Sequence, residues 1–348
     1  LRCFSSPKST IFVLRLLMFS ADISSLTQSD QIYQKTILEA VSRTFALTIP
    51  LLPTNLEIVI GNTYLLCRII DTIEDAICIP LEQKNALSNL FLATVLHGSA
   101  PDIFTQKATA LLVEHTIQAE LDLIQNTSTI LRIFASFSED QKEAIGRCVK
   151  IMSLGMQQYH IKQSIDGLQD LQELSHYCYV VAGVVGELLT TLFKLQSTDF
   201  VRAIDGQESL AIGFGQALQM TNILKDAQED LQRGVVWLPR GVDQQILYGT
   251  VYQCLCQAMT YITLVPKKEI GIRRFCFLAF GLAVITLENL VNNQMNSQLI
   301  ERKLSRRQVG YFYLLTKFIV YSDSLMRIFF RLQSRSLRAL IKPISKDL

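Results

Sequence analysis

A chain of 348 residues with 49% hydrophobic and 18% charged side chains carries enough apolar material for a large core, and its mean hydropathy of +0.26 is on the greasy side of ordinary soluble proteins. The formal net charge of +2, with no compact basic recognition module, excludes a protein held to nucleic acid by broad phosphate contacts. Cysteines at 3, 67, 78, 148, 178, 254, 256 and 276 form no CxxC pair and have no histidine at zinc-finger spacing. They are expected to be reduced thiols of a cytoplasmic protein.

The first stretch, LRCFSSPKSTIFVLRLLMF, starts at Leu1, and Arg15 interrupts its short apolar run. It is too short to cross a bilayer and no small-residue cleavage site follows cleanly. Residues 1–29 are expected to be an extension, disordered or not native, with Met18 as a candidate start.

From there to about residue 320, apolar residues recur at three- and four-residue spacings, as amphipathic helices require. Breaks fall at Pro50 and Pro53, Pro80, Gly98 to Pro101, Asn126 to Ser128, Asp166-Gly167, Gly206, Pro239 to Gly241, and Pro266. Neither a linker nor a repeat divides the stretch, so one all-α domain is expected over 30–320. The most apolar window, FCFLAFGLAVITL at 275–287, stops short of the roughly 20 residues a spanning helix needs, and no span is predicted.

Two segments carry the chemistry. In NTYLLCRIIDTIEDA, residues 62–76, Tyr64, Arg68, Asp71 and Asp75 step by four, three and four onto one helical face, with Glu74 beside them. The other faces are apolar, so the stripe is narrow and suggests a lined cavity. In QALQMTNILKDAQEDLQRG, residues 216–234, Gln219, Asn222, Asp226 and Asp230 step by three, four and four, with Glu229 and Arg233 alongside. One such stripe alone reads as a solvated face. Two facing stripes suit a cluster of Mg²⁺ ions carrying a diphosphate, because Mg²⁺ takes one or two protein carboxylates and completes its shell with water and phosphate oxygens. Carboxylates facing each other in a core without metal would be prohibitive.

The last segment, 321–348, places Arg327, Arg331, Arg335 and Arg338 about once per turn beside Ile328, Phe329, Leu332, Leu340 and Ile341. This basic amphipathic helix has two readings: docking on an anionic membrane surface, or packing on the domain with a solvated arginine face.

These segments resemble a known family. DTIED after YLLCR resembles the first aspartate-rich motif of squalene and phytoene synthases, and NILKDAQED resembles the second. SRTFALTIPLLP from Ser42, YCYVVAGVVG from Tyr177 and RGVVWLP from Arg233 resemble three more family segments, in the family's order. The resemblance covers roughly residues 35–325 and implies a single-domain isoprenoid synthase bundle around a central cavity. It implies metal binding by Asp71, Asp75, Asn222, Asp226 and Asp230, with Mg²⁺ or Mn²⁺ as the ion and Glu229 assisting. Ser42, Arg43, Phe45, Tyr64 and Arg68 would contact diphosphate or close the site, Gln219 would line it, and Tyr177 would handle a proton. For Tyr177 the plainer alternative is a core tyrosine with a capped hydroxyl.

Within the family, MSLGMQQY at 152–159, LVNNQMNS at 290–297 and ERKLSRRQV at 301–309 resemble segments of squalene synthases, here of bacterial type for want of a C-terminal membrane span. The implied activity is head-to-head condensation of two farnesyl diphosphates through presqualene diphosphate, then reduction by NADPH. The alternatives are phytoene, dehydrosqualene or hydroxysqualene synthesis without reduction, or a non-catalytic prenyl-lipid-binding homologue. Arg302, Lys303, Arg306 and Arg307 would meet the nucleotide phosphates, or form a solvated basic loop. No Rossmann fingerprint supports the cofactor, since Gly213-Phe214-Gly215 follows no strand and lacks the third glycine. The resemblance leaves the protein cytoplasmic, peripheral to the inner membrane face at most, and a monomer or an oligomer of unstated order.

Overall fold

The computed structural model describes residues 27–76, 79–99, 101–160, 166–295 and 304–341. Residues 1–26, and with them Met18, lie outside that description, as do Arg302 and Lys303. Helix α1, Gln28–Val41, starts where the Thr27 hydroxyl accepts the Asp30 N–H at 3.2 Å. A short α2, Phe45–Thr48, runs through a 3₁₀ turn into Pro53, after which α3 spans Thr54–Asp75. Then come α4 (Leu81–His97), α5 (Pro101–Leu112), α6 (Gln118–Gln125), α7 (Thr127–Ala135) and the long α8 (Glu139–His160). Helix α9, Leu171–Cys178, passes through a π turn at Tyr179–Gly183 into α10, Val184–Gln196, followed by α11, Thr198–Ile204. The second acidic segment is α12, Ser209–Gln232, and α13 (Gln244–Leu264) and α14 (Ile270–Met295) complete the central helices. Last are α15 (Arg306–Ile319), α16 (Asp323–Gln333) and α17 (Arg335–Ile341). Among the described residues there is no strand, only an isolated bridge between Leu168 and Pro239.

The predicted breaks become helix ends. Gly98 closes α4 in the left-handed region, and its N–H bonds the Thr94 carbonyl at 3.1 Å. Side chains on α3 from Leu56 to Ile73 are mostly buried, which follows from its narrow polar stripe. Helices α10 and α12 cross at backbone distance: a Cβ on Gly186 would lie 2.1 Å from the Ala211 carbonyl oxygen, and one on Gly215 would lie 2.1 Å from that of Ala182. Only glycine permits that approach, and it sets where the second stripe points.

Two sequence expectations need correction. Two helical stretches, Leu171–Gln196 and Ile270–Asn293, are long and apolar enough to cross a membrane by length and composition. The apolar window read at 275–287 is part of α14, which begins at Ile270 and so includes Arg273 and Arg274. Arg273 is wholly buried, donating to the carbonyls of Val265 (2.6 Å) and Val320 (2.8 Å) and pairing with Asp323. The most apolar window of α14 is 78% buried in the fold, as befits a core helix. The C-terminal segment, expected as one helix, is broken at Ser334 into α16 and α17, and Glu288 accepts the N–H groups of Ser336 and Leu337 at 2.8 and 3.1 Å. Met326, Phe330 and Leu337 anchor both pieces on the domain.

Candidate active site

The C-terminal half of α3 and the middle of α12 open onto one cavity of about 550 Å³. Asp71, Glu74, Asp75 and Arg68 line it from α3, and Gln219, Asn222, Lys225 and Asp226 line it from α12. Asp230 stands one turn beyond, outside that lining but close enough for the Asp75 charge to raise its pKa. Burial is the first cause of that rise, and Asp226 is the second.

Charge in the mouth is undercompensated. Burial and the neighbouring Asp75 push the Asp71 carboxyl up to about 7 against an ordinary 3.8, with only partial relief from Arg68. Asp75 is raised too, chiefly by burial. Arg68 approaches Asp71 at 4.0 Å but hydrogen-bonds Glu120 of α6, which also accepts from Thr116 at 2.8 Å and Thr72 at 3.4 Å. Lys225 bridges Asp226 and Asn222, at 3.2 Å each. Buried Lys84, its pKa lowered by that burial, donates to the Glu74 carbonyl and fixes the end of α3.

An all-oxygen set carrying unneutralised charge is the chemistry of a hard divalent cation. Among the described residues, no three acidic, histidine or cysteine side chains cluster tightly enough to hold a metal by themselves.

Tyr177 ends α9 just before the π turn, 5% exposed, its hydroxyl pKa raised well above the ordinary value by burial and then by Glu74, Asp71 and Asp75. Its ring stacks on Trp237 with centroids 4.1 Å apart and planes 6° from parallel, and Tyr159 meets it edge-on at 4.9 Å. Trp237 is delivered by the loop after α12. There Arg240 donates its N–H to the Leu168 carbonyl at 3.0 Å and pairs with Asp166 at 3.0 Å, while Gly167, at φ +77°, passes too close to Leu238 for any side chain.

Phe45 lines the cavity with its ring 5.0 Å from that of Tyr64, and the buried Ser42 hydroxyl accepts the Phe45 N–H at 3.0 Å. Arg43 and Glu229 are exposed and outside the lining. Arg306 and Arg307 are exposed on the first turn of α15, also outside it. The far end is apolar, closed by Phe193, Phe214, Tyr261 and Phe275, with the Tyr261 and Thr190 hydroxyls 2.9 Å apart.

Sequence reading missed Glu120, Lys84 and Lys225 as site residues and gave Trp237 no role. Glu120 and Lys84 come from other helices, so helical spacing carries no trace of them. Trp237 sat inside the quoted RGVVWLP segment, where the chain's single tryptophan was the available signal.

A family profile described as squalene/phytoene synthase matches residues 38–247. Squalene synthase ERG9 of Gibberella zeae is 33% identical over 210 residues, covering 60% of this chain and 43% of its own. Squalene synthase ERG9 of Saccharomyces cerevisiae is 27% identical over 287 residues, covering 74% and 61%. The chain thus spans about half the length of such curated relatives. In solved structures, TcSQS in complex with a ligand aligns with a TM-score of 0.71 at 20% identity, over 92% of this chain and 97% of that one, which establishes the shared helical fold. With the aspartate-bearing helices lying inside the matched stretch, this chain belongs to the squalene/phytoene synthase family.

Proposed function

We propose that the protein condenses two farnesyl diphosphates head to head through presqualene diphosphate and reduces the product with NADPH to squalene. The observation that carries the condensation is a single cavity, acidic at one end and aromatic at the other, whose acidic end is built from both aspartate stripes. Diphosphate suits the charged end and a prenyl chain suits the rest. The reduction is supported by the name squalene synthase among the relatives and by no described residue.

Asp71, Asp75, Asn222, Asp226 and Asp230 would hold Mg²⁺, or Mn²⁺ in its place, which when bound supplies the Lewis acid that stabilises a departing diphosphate. Arg68 and Lys225 present cationic hydrogen-bond donors to the same phosphate oxygens. Phe45, Tyr64, Phe193 and Phe214 wall the apolar stretch and exclude the water that would quench an allylic cation. Tyr177, kept un-ionised by its surroundings and clamped by Trp237, is positioned to pass a proton at the mouth.

The free thiols of Cys67, Cys148, Cys178, Cys254, Cys256 and Cys276 support a reducing, cytoplasmic location. The exposed arginines of α16 support peripheral attachment to a membrane.

A second reading, condensation without reduction, is favoured by one observation. Arg306 and Arg307 do not line the cavity, so the described part of the basic cluster does not fit a hydride donor that must reach the prenyl chains. Purified protein incubated with farnesyl diphosphate and Mg²⁺, with and without NADPH, tests both. Diphosphate release with squalene formed only when NADPH is present supports the first reading, and release with an NADPH-independent product supports the second. No release leaves a binding homologue.

A further inference from the structure

Helices α15 and α16 are apolar on the wrong side as well as the right one. Their buried faces are ordinary: Phe312 seats over Gly281 of α14, and Phe330 packs edge-on against Phe280. A surface helix would be expected to carry polar residues elsewhere. Instead Tyr311, Leu314, Leu315 and Phe318 recur at helical spacing on α15 and are all exposed, Tyr311 at 75% and Phe318 at 72%. Leu325, Ile328 and Leu332 do the same on α16, and Tyr321 is exposed in the turn between the helices. Single exposed hydrophobics need no explanation, whereas a run like this marks a partner.

Charge identifies the partner. Lys317, Arg327, Arg331 and Arg335 are exposed alongside, and among the described residues none of them has a carboxylate in ion-pair range. From 304 to 341 the chain has one acidic residue, Asp323, and it pairs with Arg273 and Lys267. Apolar and aromatic side chains flanked by unpaired cations, with anions lacking, match an anionic lipid surface, where the apolar groups enter the acyl boundary and the cations meet headgroups.

We propose that the exposed faces of α15, α16 and their connecting turn dock the protein on an anionic membrane surface. This deepens the peripheral attachment read from the tail arginines by extending it from α16, within that tail, to α15, which the sequence reading placed in the domain. The position has a use: α14 lines the cavity with Phe275, Cys276 and Ala279 and carries α15 on its other side. Two helix layers, α14 and then α15, each about 10 Å across, thus lie between the cavity and the docking face.

Flotation of the full chain with vesicles of phosphatidylcholine alone, or with about 30% phosphatidylserine, tests this. The chain is expected to float with the anionic vesicles and to be released by high salt. Phe318→Asp with Leu332→Asp should lower binding by roughly tenfold or more, and Lys317→Gln or Arg331→Gln by roughly fivefold each. Far-UV circular dichroism and diphosphate release in detergent should stay unchanged, since these side chains support neither core nor cavity. Failure of the native chain to float overturns both the peripheral reading and the docking face. Flotation that the Phe318→Asp/Leu332→Asp variant retains keeps attachment but overturns this face. A native dimer split by Phe318→Asp, without vesicle binding, reassigns the face to self-association and overturns the proposal.

Discussion

On α3, the Asp71 carboxylate keeps 32% of its surface accessible, and on α12 Asp226 keeps the same 32%. Their surroundings differ all the same. Asp226 has Lys225 at 3.2 Å, whereas the cation nearest Asp71 is 4.0 Å away and hydrogen-bonded to Glu120. Asp71 lines the cavity, and burial is the first cause of its raised pKa, so accessibility there does not mean solvation. At the α12 end of the mouth one aspartate therefore has its own cation, while at the α3 end Asp71 waits for charge from outside.

Asparagine at either position sharpens that contrast. Asp71→Asn and Asp226→Asn should each lower diphosphate release by about 10²–10³-fold or more, as loss of a charge-stabilising group does. Their stabilities should diverge. At pH 8 without metal, Asp71→Asn is expected to melt at or above the native temperature because an uncompensated buried charge is gone, while Asp226→Asn, which breaks an ion pair, should melt at or below it. Identical melting shifts would erase the distinction between the ends.

Gly215→Ala strikes the geometry that aims the second stripe. A methyl group 2.1 Å from the Ala182 carbonyl forces α12 away from the π turn and should cost about 1–3 kcal/mol, read from chemical denaturation. Activity should fall with it, although no acidic residue has changed.

The Asp71 carboxyl, at about 7 in the fold against 3.8 ordinarily, keeps its proton over a range where the unfolded chain has lost it. Its contribution to metal-free stability is therefore fully present at acid pH and is lost as pH rises from about 4 to about 7. Asp71→Asn should flatten that slope, and Mg²⁺ with inorganic diphosphate should raise the melting temperature more at pH 8 than at pH 5.

The smallest effect belongs to the diverted cation. Glu120→Gln keeps a hydrogen-bond acceptor but frees Arg68 to swing to Asp71. A loss of about ten- to a hundredfold in kcat/KM with folding unchanged is expected from a charge-assisted hydrogen bond of about 1.5–3 kcal/mol.

The sequence made one kind of information legible. Tyr64, Arg68, Asp71 and Asp75 share a face because helical spacing alone dictates it, and the same holds for Gln219 to Asp230. That both faces meet at one cavity follows from their apolar surroundings, which force each helix inward. Glu120 was invisible because Arg68 reaches it across 52 residues of chain. Arg273 drew no notice in the sequence, yet it is wholly buried, satisfied by the Val265 carbonyl nearby and by the Val320 carbonyl 47 residues away. The break at Ser334 depends on Glu288 holding the start of α17, a contact that no propensity encodes.

The π turn at Tyr179–Gly183 inserts what amounts to one surplus position between α9 and α10. Removing a single amino acid there would let the coil regularise, but the turn is packed against Gly215 of α12 with no room for even a methyl group. Because the surplus residue is absorbed within the turn, the helical turns on either side keep their facing, and the phenol of residue 177 would stay at the mouth beside its tryptophan. A one-codon deletion would therefore be felt first in the backbone contact with α12, which aims the second stripe, rather than in the facing of the proton-handling group.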